Sequence, residues 1–217
     1  MKYQLAIFDL DGTILDTLKD LADSVNYSLR KSNCSERTID EVRRFVGNGI
    51  FKLIQRAVPE NSSEELINTV FSDFKEYYKV HYADSTKEYD GITELFTKLR
   101  SSGIKIAVVS NKADFAVQSL CKDYFSGLLD ACVGERENVR RKPAPDSVNE
   151  ILSILGVEKE NAVYIGDSDV DIKTAQNAEM DCISVNWGFR DTEFLTANGA
   201  TVIVQTTQEL YLKIVNT

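Results

Sequence analysis

The stretch Tyr3-Gln4-Leu5-Ala6-Ile7-Phe8-Asp9-Leu10-Asp11-Gly12-Thr13 sets a short apolar run directly against small and acidic residues. Strands buried on both faces of a parallel sheet read as near-continuous apolar runs, so residues 3–8 are read as such a strand, ending at Asp9. Two later segments repeat the design. Ile104-Lys105-Ile106-Ala107-Val108-Val109 ends at Ser110, and Ala162-Val163-Tyr164-Ile165-Gly166 ends at Asp167. Weaker strand signals lie at 131–133, 182–185 and 201–204. Helix-period segments alternate with them. Ile92, Leu95, Phe96 and Leu99 form one apolar stripe stopped by Gly103; Val148, Ile151, Leu152 and Leu155 form another stopped by Gly156. Ile172, Ala175 and Ala178 mark a shorter helix, and 210–214 a closing one. Strand and helix in alternation predict an α/β core with a doubly wound parallel sheet.

Residues 16–85 break the alternation and read as helices only. Leu18, Leu21, Ala22, Val25 and Leu29 share one face, and Leu66, Ile67, Val70, Phe71, Phe74 and Tyr78 continue a later helix. Thr38 with Glu41, and Ser62 with Glu65, have the spacing of capping boxes. The expected organisation is a catalytic core from residues 1–15 and 86–217, interrupted by a helical cap at 16–85.

Composition narrows the function. The 217 residues carry a net charge of -9, and 43% are hydrophobic. An acidic chain offers no broad face to a phosphate backbone, so nucleic acid is not an expected partner. No apolar run is long enough for a bilayer, and residues 1–5 lead straight into the first strand without a signal peptide, so a cytoplasmic protein that binds no membrane is expected. Four scattered cysteines without a Cys-x-x-Cys pair, and a single histidine, make zinc improbable and reduced thiols the expectation.

Open α/β sheets bind ligands beyond the carboxyl ends of their strands, which is where Asp9, Asp11, Ser110 and Asp167 fall. Lys142 sits before the helix that Pro145 and Asp146 open. Each alone has an ordinary explanation as a turn, cap or loop residue; together, and in order, they suit one reaction. A phosphate dianion repels nucleophiles, and a carboxylate can attack phosphorus only where a divalent ion and a fixed ammonium cancel charge. Asp9 is the candidate nucleophile, and Asp11 the acid for the leaving oxygen and later the base for water. Gly12 lets backbone approach phosphate, Thr13 supplies hydrogen bonds, and Ser110, the backbone of Asn111 and Lys142 hold phosphate. Asp167 is a candidate metal ligand, with Asp171 either a ligand or its support.

Phe8-Asp9-Leu10-Asp11-Gly12-Thr13, Ser110-Asn111-Lys112, Lys142-Pro143 and Gly166-Asp167-Ser168-Asp169-Val170-Asp171 resemble the four motifs of the haloacid dehalogenase superfamily. The resemblance spans essentially the whole chain. It implies a three-layer Rossmann-like core, a cap that opens and closes, and Mg²⁺ held by Asp9, Asp167 and the backbone carbonyl of Asp11. Asp11 favours phosphoryl transfer over dehalogenation. Mutase-like relatives carry a histidine where this chain has Leu21, which argues against a mutase. Residues 16–22, Val42-Arg43-Arg44-Phe45-Val46-Gly47-Asn48-Gly49 and Asn186-Trp187-Gly188-Phe189-Arg190 resemble phosphoglycolate phosphatases, implying a small phosphorylated metabolite as partner and a monomer or homodimer. A β-phosphoglucomutase-like phosphomutase, nucleotide, pyrophosphate and sugar-phosphate hydrolases, and a non-catalytic phosphate-binding regulator are the alternatives. In the cap, Arg44 and Asn48 are candidate substrate contacts; equally, the basic residues there are a solvated face and the glycines a turn between helices. Glu179 stands where the superfamily usually has a glycine, which puts the local turn in question. Trp187 is read as either lining the entrance of the site or anchoring its loop.

Overall fold

The computed structural model describes residues 2–216. The chain divides into two compact units, Met1–Leu15 with Glu88–Thr217, and Asp16–Lys87.

The first unit is a six-stranded sheet in the order β5-β4-β1-β6-β7-β8, parallel throughout. Its strands are β1 (Leu5–Phe8), β4 (Lys105–Ala113), β5 (Ala131–Glu135), β6 (Ala162–Gly166), β7 (Asp181–Val185) and β8 (Ile203–Val204). Helices α5 (Ile92–Ser101), α6 (Asp114–Phe125), α7 (Asp146–Leu155), α8 (Asp169–Asn177), α9 (Thr192–Ala197) and α10 (Thr207–Val215) connect them. β1 is fully buried because β4 and β6 flank it and helices cover it. Phe8, Phe96 and Phe125 stack edge to face at 5.0 and 5.1 Å, pairs worth about 1 kcal/mol each beyond their burial. Phe8 is level with Val108 and with Ile165, so Asp9, Ser110 and Asp167 all emerge at one edge of the sheet.

Two local expectations need correction. β4 does not stop at Val109 but runs to Ala113, with its register to β5 shifting between Val109 and Ala113. Gly134 permits this: a Cβ there would lie 2.6 Å from the Lys112 carbonyl oxygen. The turn at Glu179 forms despite the missing glycine. Glu179 adopts φ 55° and its carboxylate pairs with Lys159.

The second unit holds α1 (Leu18–Lys31), α2 (Ile39–Phe45), α3 (Ile50–Ala57) and α4 (Glu64–His81). β2 (Leu15–Asp16) and β3 (Lys87–Glu88), at the two chain crossings, make a separate two-stranded sheet. The Thr38–Glu41 capping box forms as expected. The Ser62–Glu65 box does not: the Ser62 hydroxyl donates to the Pro59 carbonyl, and Ser63 caps α4 by accepting from the Leu66 N–H. Tyr27, Tyr77 and His81 stack at 4.0 and 4.1 Å, and His81 bonds Asp84, so the lone histidine is a packing residue. The return crossing falls at Lys87 and Glu88, two residues beyond the expected boundary. Buried Asp20 explains the shift. It accepts from the N–H groups of Ser85 and Thr86 at 2.8 Å each and from the Thr86 hydroxyl at 2.7 Å, which holds both residues with the helices. Among the described residues no helix is long and apolar enough to cross a membrane.

Candidate active site

Asp9 leaves β1 where its N–H still donates to Ile165 of the neighbouring strand, at 2.8 Å. Its Oδ1 accepts from the Leu10 N–H at 2.7 Å and pairs with Lys142 Nζ at 2.8 Å. Lys142 is buried and also donates to Asp171 at 2.8 Å and to the Tyr164 hydroxyl at 3.0 Å. Its position is fixed by its carbonyl, which accepts from Asn111 Nδ2 at 3.0 Å.

Asp167 ends β6 on the other side of Asp9. Its Oδ1 accepts from the Thr13 hydroxyl at 3.2 Å, and its Oδ2 from the Phe189 N–H at 2.7 Å. Asp171 lies one turn into α8. One oxygen takes Lys142 and Tyr164; the other accepts from the N–H and hydroxyl of Ser168, closing the capping box of α8. One oxygen from each of Asp9, Asp167 and Asp171 lies within 4.8 Å of the others. Space around them is guarded by glycines. A Cβ on Gly12 or on Gly188 would run into Asp167, and one on Gly166 would run into Asp171. Gly12 also has φ 85°, the left-handed region that favours glycine.

Electrostatics follow from this crowding. Burial, above all, pushes the Asp9 carboxyl up to about 7; Asp171 adds to the shift and Lys142 opposes it. Burial, then Asp171 and Asp9, holds Asp167 well above the ordinary carboxylate range, against the Phe189 N–H. For Lys142, burial favours the neutral amine, but Asp171 and Asp9 outweigh it and the ammonium persists. Asp9 and Asp171 share the Lys142 ammonium, and the charge of Arg190 favours the ionised form of Asp167, yet burial keeps the Asp9 and Asp167 carboxyls raised. An all-oxygen donor set of this kind suits a hard divalent cation.

The structure thus gathers Asp9, Thr13, Asn111, Lys142, Asp167 and Asp171. Ser110 is buried at the same sheet edge, its hydroxyl accepting the Lys112 N–H at 3.2 Å. The Asp11 carboxylate stands outside the acidic cluster, with its Oδ1 2.7 Å from Lys112 Nζ. Arg44 and Asn48 belong to the helical unit, where Arg44 is exposed and Asn48 accepts from Arg56 at 2.7 Å. Trp187 anchors its loop by donating to the Thr13 carbonyl at 3.0 Å. Sequence reasoning missed Tyr164, Lys112 and the Phe189 N–H. Only Tyr164 left a usable signal, a hydroxyl in a fully buried strand that must find a partner.

A sequence profile described as haloacid dehalogenase-like hydrolase matches residues 6–185. The chain belongs to the haloacid dehalogenase-like hydrolases. A phosphoglycolate phosphatase of Aquifex aeolicus is 32% identical over 86% of this chain and 86% of its own. One from Psychrobacter arcticus is 32% identical over 87% and 86%. The crystal structure of a protein from Lactobacillus delbrueckii subsp. bulgaricus, provisionally named a phosphoglycolate phosphatase, covers 100% of both chains at 41% identity with a TM-score of 0.96. Family and relatives together place this hydrolase among the phosphatases.

Proposed function

We propose that this hydrolase cleaves small phosphate monoesters, phosphoglycolate first among them, with Mg²⁺ as its metal and Asp9 as its nucleophile. The observation that carries the reading is the Asp9 carboxylate, tethered by Lys142 and the Leu10 N–H beside Asp167 and Asp171. Asp9 and Asp167 would hold the ion with the Asp11 carbonyl; Asp171, whose oxygens are both engaged, would support them. When bound, Mg²⁺ supplies charge neutralisation between carboxylate and phosphate.

The chain's own groups do the rest. Asp9 attacks phosphorus, the bond from phosphorus to the leaving oxygen breaks, and Asp11 gives that oxygen a proton. Water then attacks the aspartyl-phosphate while Asp11 takes its proton, which returns Asp9 and releases phosphate. Lys142 stays beside Asp9 throughout and, with Ser110 and the Asn111 N–H, would balance the phosphoryl oxygens. Phosphoglycolate is favoured by the names of the relatives. Arg44 and Asn48 remain the candidates in the helical unit for its carboxylate.

The test is phosphate release from phosphoglycolate, nucleotides, sugar phosphates, pyrophosphate and an aryl phosphate, with and without Mg²⁺, beside Asp9→Asn. Metal-dependent release that the substitution abolishes is expected, with phosphoglycolate ranking first. Turnover surviving in Asp9→Asn would end the nucleophile assignment, and a preferred nucleotide would end the substrate assignment.

A further inference from the structure

Lys112 stands outside the steps just described, and its surroundings are unusual for a lysine. It lies in the last turn of chain before α6, a region of β4 that the sequence alone presents as a polar loop. Yet its side chain is only 2% exposed, and Nζ lies 2.7 Å from Asp11 Oδ1, whose side chain is 16% exposed. Lysines are almost never this buried without a charged partner. The backbone is arranged to put it there. β4 continues past Ser110 with an irregular register, the Ser110 hydroxyl accepts the Lys112 N–H, and Gly134 lets β5 pass the Lys112 carbonyl at a separation no side chain would allow.

A buried ion pair is a poor way to stabilise a fold. The desolvation cost of two charges offsets most of their attraction, and well-packed apolar side chains often serve as well. The pair makes more sense as a device for placing one carboxylate. Asp11 is two residues from the nucleophile, on a loop, and its side chain has two free torsions. We infer that Lys112 is a positioning residue for Asp11: its ammonium fixes one carboxylate oxygen, and so the plane and reach of the whole group. Proton delivery to a leaving oxygen needs that reach to be right, since a misplacement of about 1 Å costs on the order of 100-fold in rate.

The inference rests on Asp11 being the acid and base of the proposed reaction, and the experiment separates the two claims. An alkyl phosphate such as phosphoglycolate needs a proton on its leaving oxygen, whereas 4-nitrophenyl phosphate releases a stable anion and needs little help. kcat/KM reports the steps through aspartyl-phosphate formation, so it isolates proton donation from later attack by water. Asp11→Asn, Lys112→Met and Lys112→Arg are compared on both substrates with Mg²⁺ saturating, each checked by thermal melting. Asp11→Asn should lower kcat/KM for the alkyl ester far more than for the aryl ester. Lys112→Met should reproduce that asymmetry at about 10- to 100-fold on the alkyl ester and under about threefold on the aryl ester, and Lys112→Arg should recover part of the loss. Equal losses on both substrates in Lys112→Met would overturn the inference while leaving the role of Asp11 intact. A loss expressed only in KM would overturn it too, by making Lys112 a substrate contact. Absence of the asymmetry in Asp11→Asn would overturn the acid role itself, and this inference with it. Should Lys112→Met fail to fold, Lys112→Gln carries the same comparison.

Discussion

Lys142→Met removes one charge and the hydrogen bonds it donates to Asp171 and Tyr164, while methionine keeps much of the apolar stem. In the native site the ammonium sits 2.8 Å from oxygens of both Asp9 and Asp171. At that distance, with an effective dielectric constant near 20, each contact contributes about 6 kcal/mol of attraction. Most of this is offset by the cost of burying the ammonium, and breaking such a pair typically destabilises by about 3–5 kcal/mol because buried carboxylates are left without a counter-charge. The protein has one means of relief, the uptake of a proton. Asp9 already titrates at about 7, burial being the main cause, and Lys142 is a group that restrains the shift. Without it the folded-state pKa rises further above the ordinary 3.8. A raised carboxyl pKa means that the folded state binds more protons than the unfolded one. Its stability is then full at low pH and is lost as pH rises towards the folded-state pKa. In the parent the loss from Asp9 is complete soon above 7; in the variant it continues. The stability gap between the two proteins should therefore widen as pH rises beyond 7. Urea melts of metal-free protein at pH 6, 7 and 8 measure it. Phosphatase activity should fall by about 10²–10³-fold at saturating Mg²⁺, the usual cost of losing a positioned charge. A deficit that does not change with pH, or activity within threefold of the parent, would refute the electrostatic account.

Three further outcomes follow from the same geometry. Binding a divalent cation should release the proton that Asp9 carries below about 7, so apparent Mg²⁺ affinity should rise by up to about tenfold per pH unit in acid and level off above neutrality; calorimetry in buffers of different ionisation enthalpy counts that proton, and none released at pH 6 would contradict the site's electrostatics. Glu179→Gly should raise Tm by about 2–4 °C, since the backbone is left-handed there and glycine adopts that shape without strain; an unchanged or lower Tm in a scanning melt counts against it. Asp20→Ala should destabilise the helical unit by about 3 kcal/mol by orphaning two backbone N–H groups, with early exchange of the Ser85 and Thr86 amides in hydrogen-exchange experiments as its signature; unaltered protection of those two amides would show that other contacts hold them.

Much of the site was legible because it is written in local pattern. An apolar run that stops at Asp9, at Ser110 or at Asp167 declares both a strand and the end that faces a ligand. The helix stops at Gly103 and Gly156 are equally local, and both residues do take positive φ. What was not legible depends on partners distant in sequence. Lys112 stands in the Ser110-Asn111-Lys112 motif with no role of its own until β4 is seen to run through it, and that extension is licensed by Gly134, twenty-two residues later. Tyr164 shows a hydroxyl in a buried strand that must find a partner, but nothing local says that Lys142 and Asp171 supply it. The Phe189 N–H that holds Asp167 is a backbone group, so no side-chain motif could announce it. The error at Ser62 is of another kind. Two adjacent serines compete for one cap, and the Pro59 carbonyl decides between them.

The carboxylate of Asp20 has a consequence for how such a chain can change. It fastens the beginning of a long insertion to its end, within the insertion itself. To the rest of the polypeptide, a segment tied at the neck has the closure entropy of a short hairpin, whatever its length beyond the tie. Helices past the knot can then be lengthened, traded or redesigned at little cost to the sheet that carries the chemistry. Selection for a new substrate can work on one module while the catalytic apparatus stays as it is.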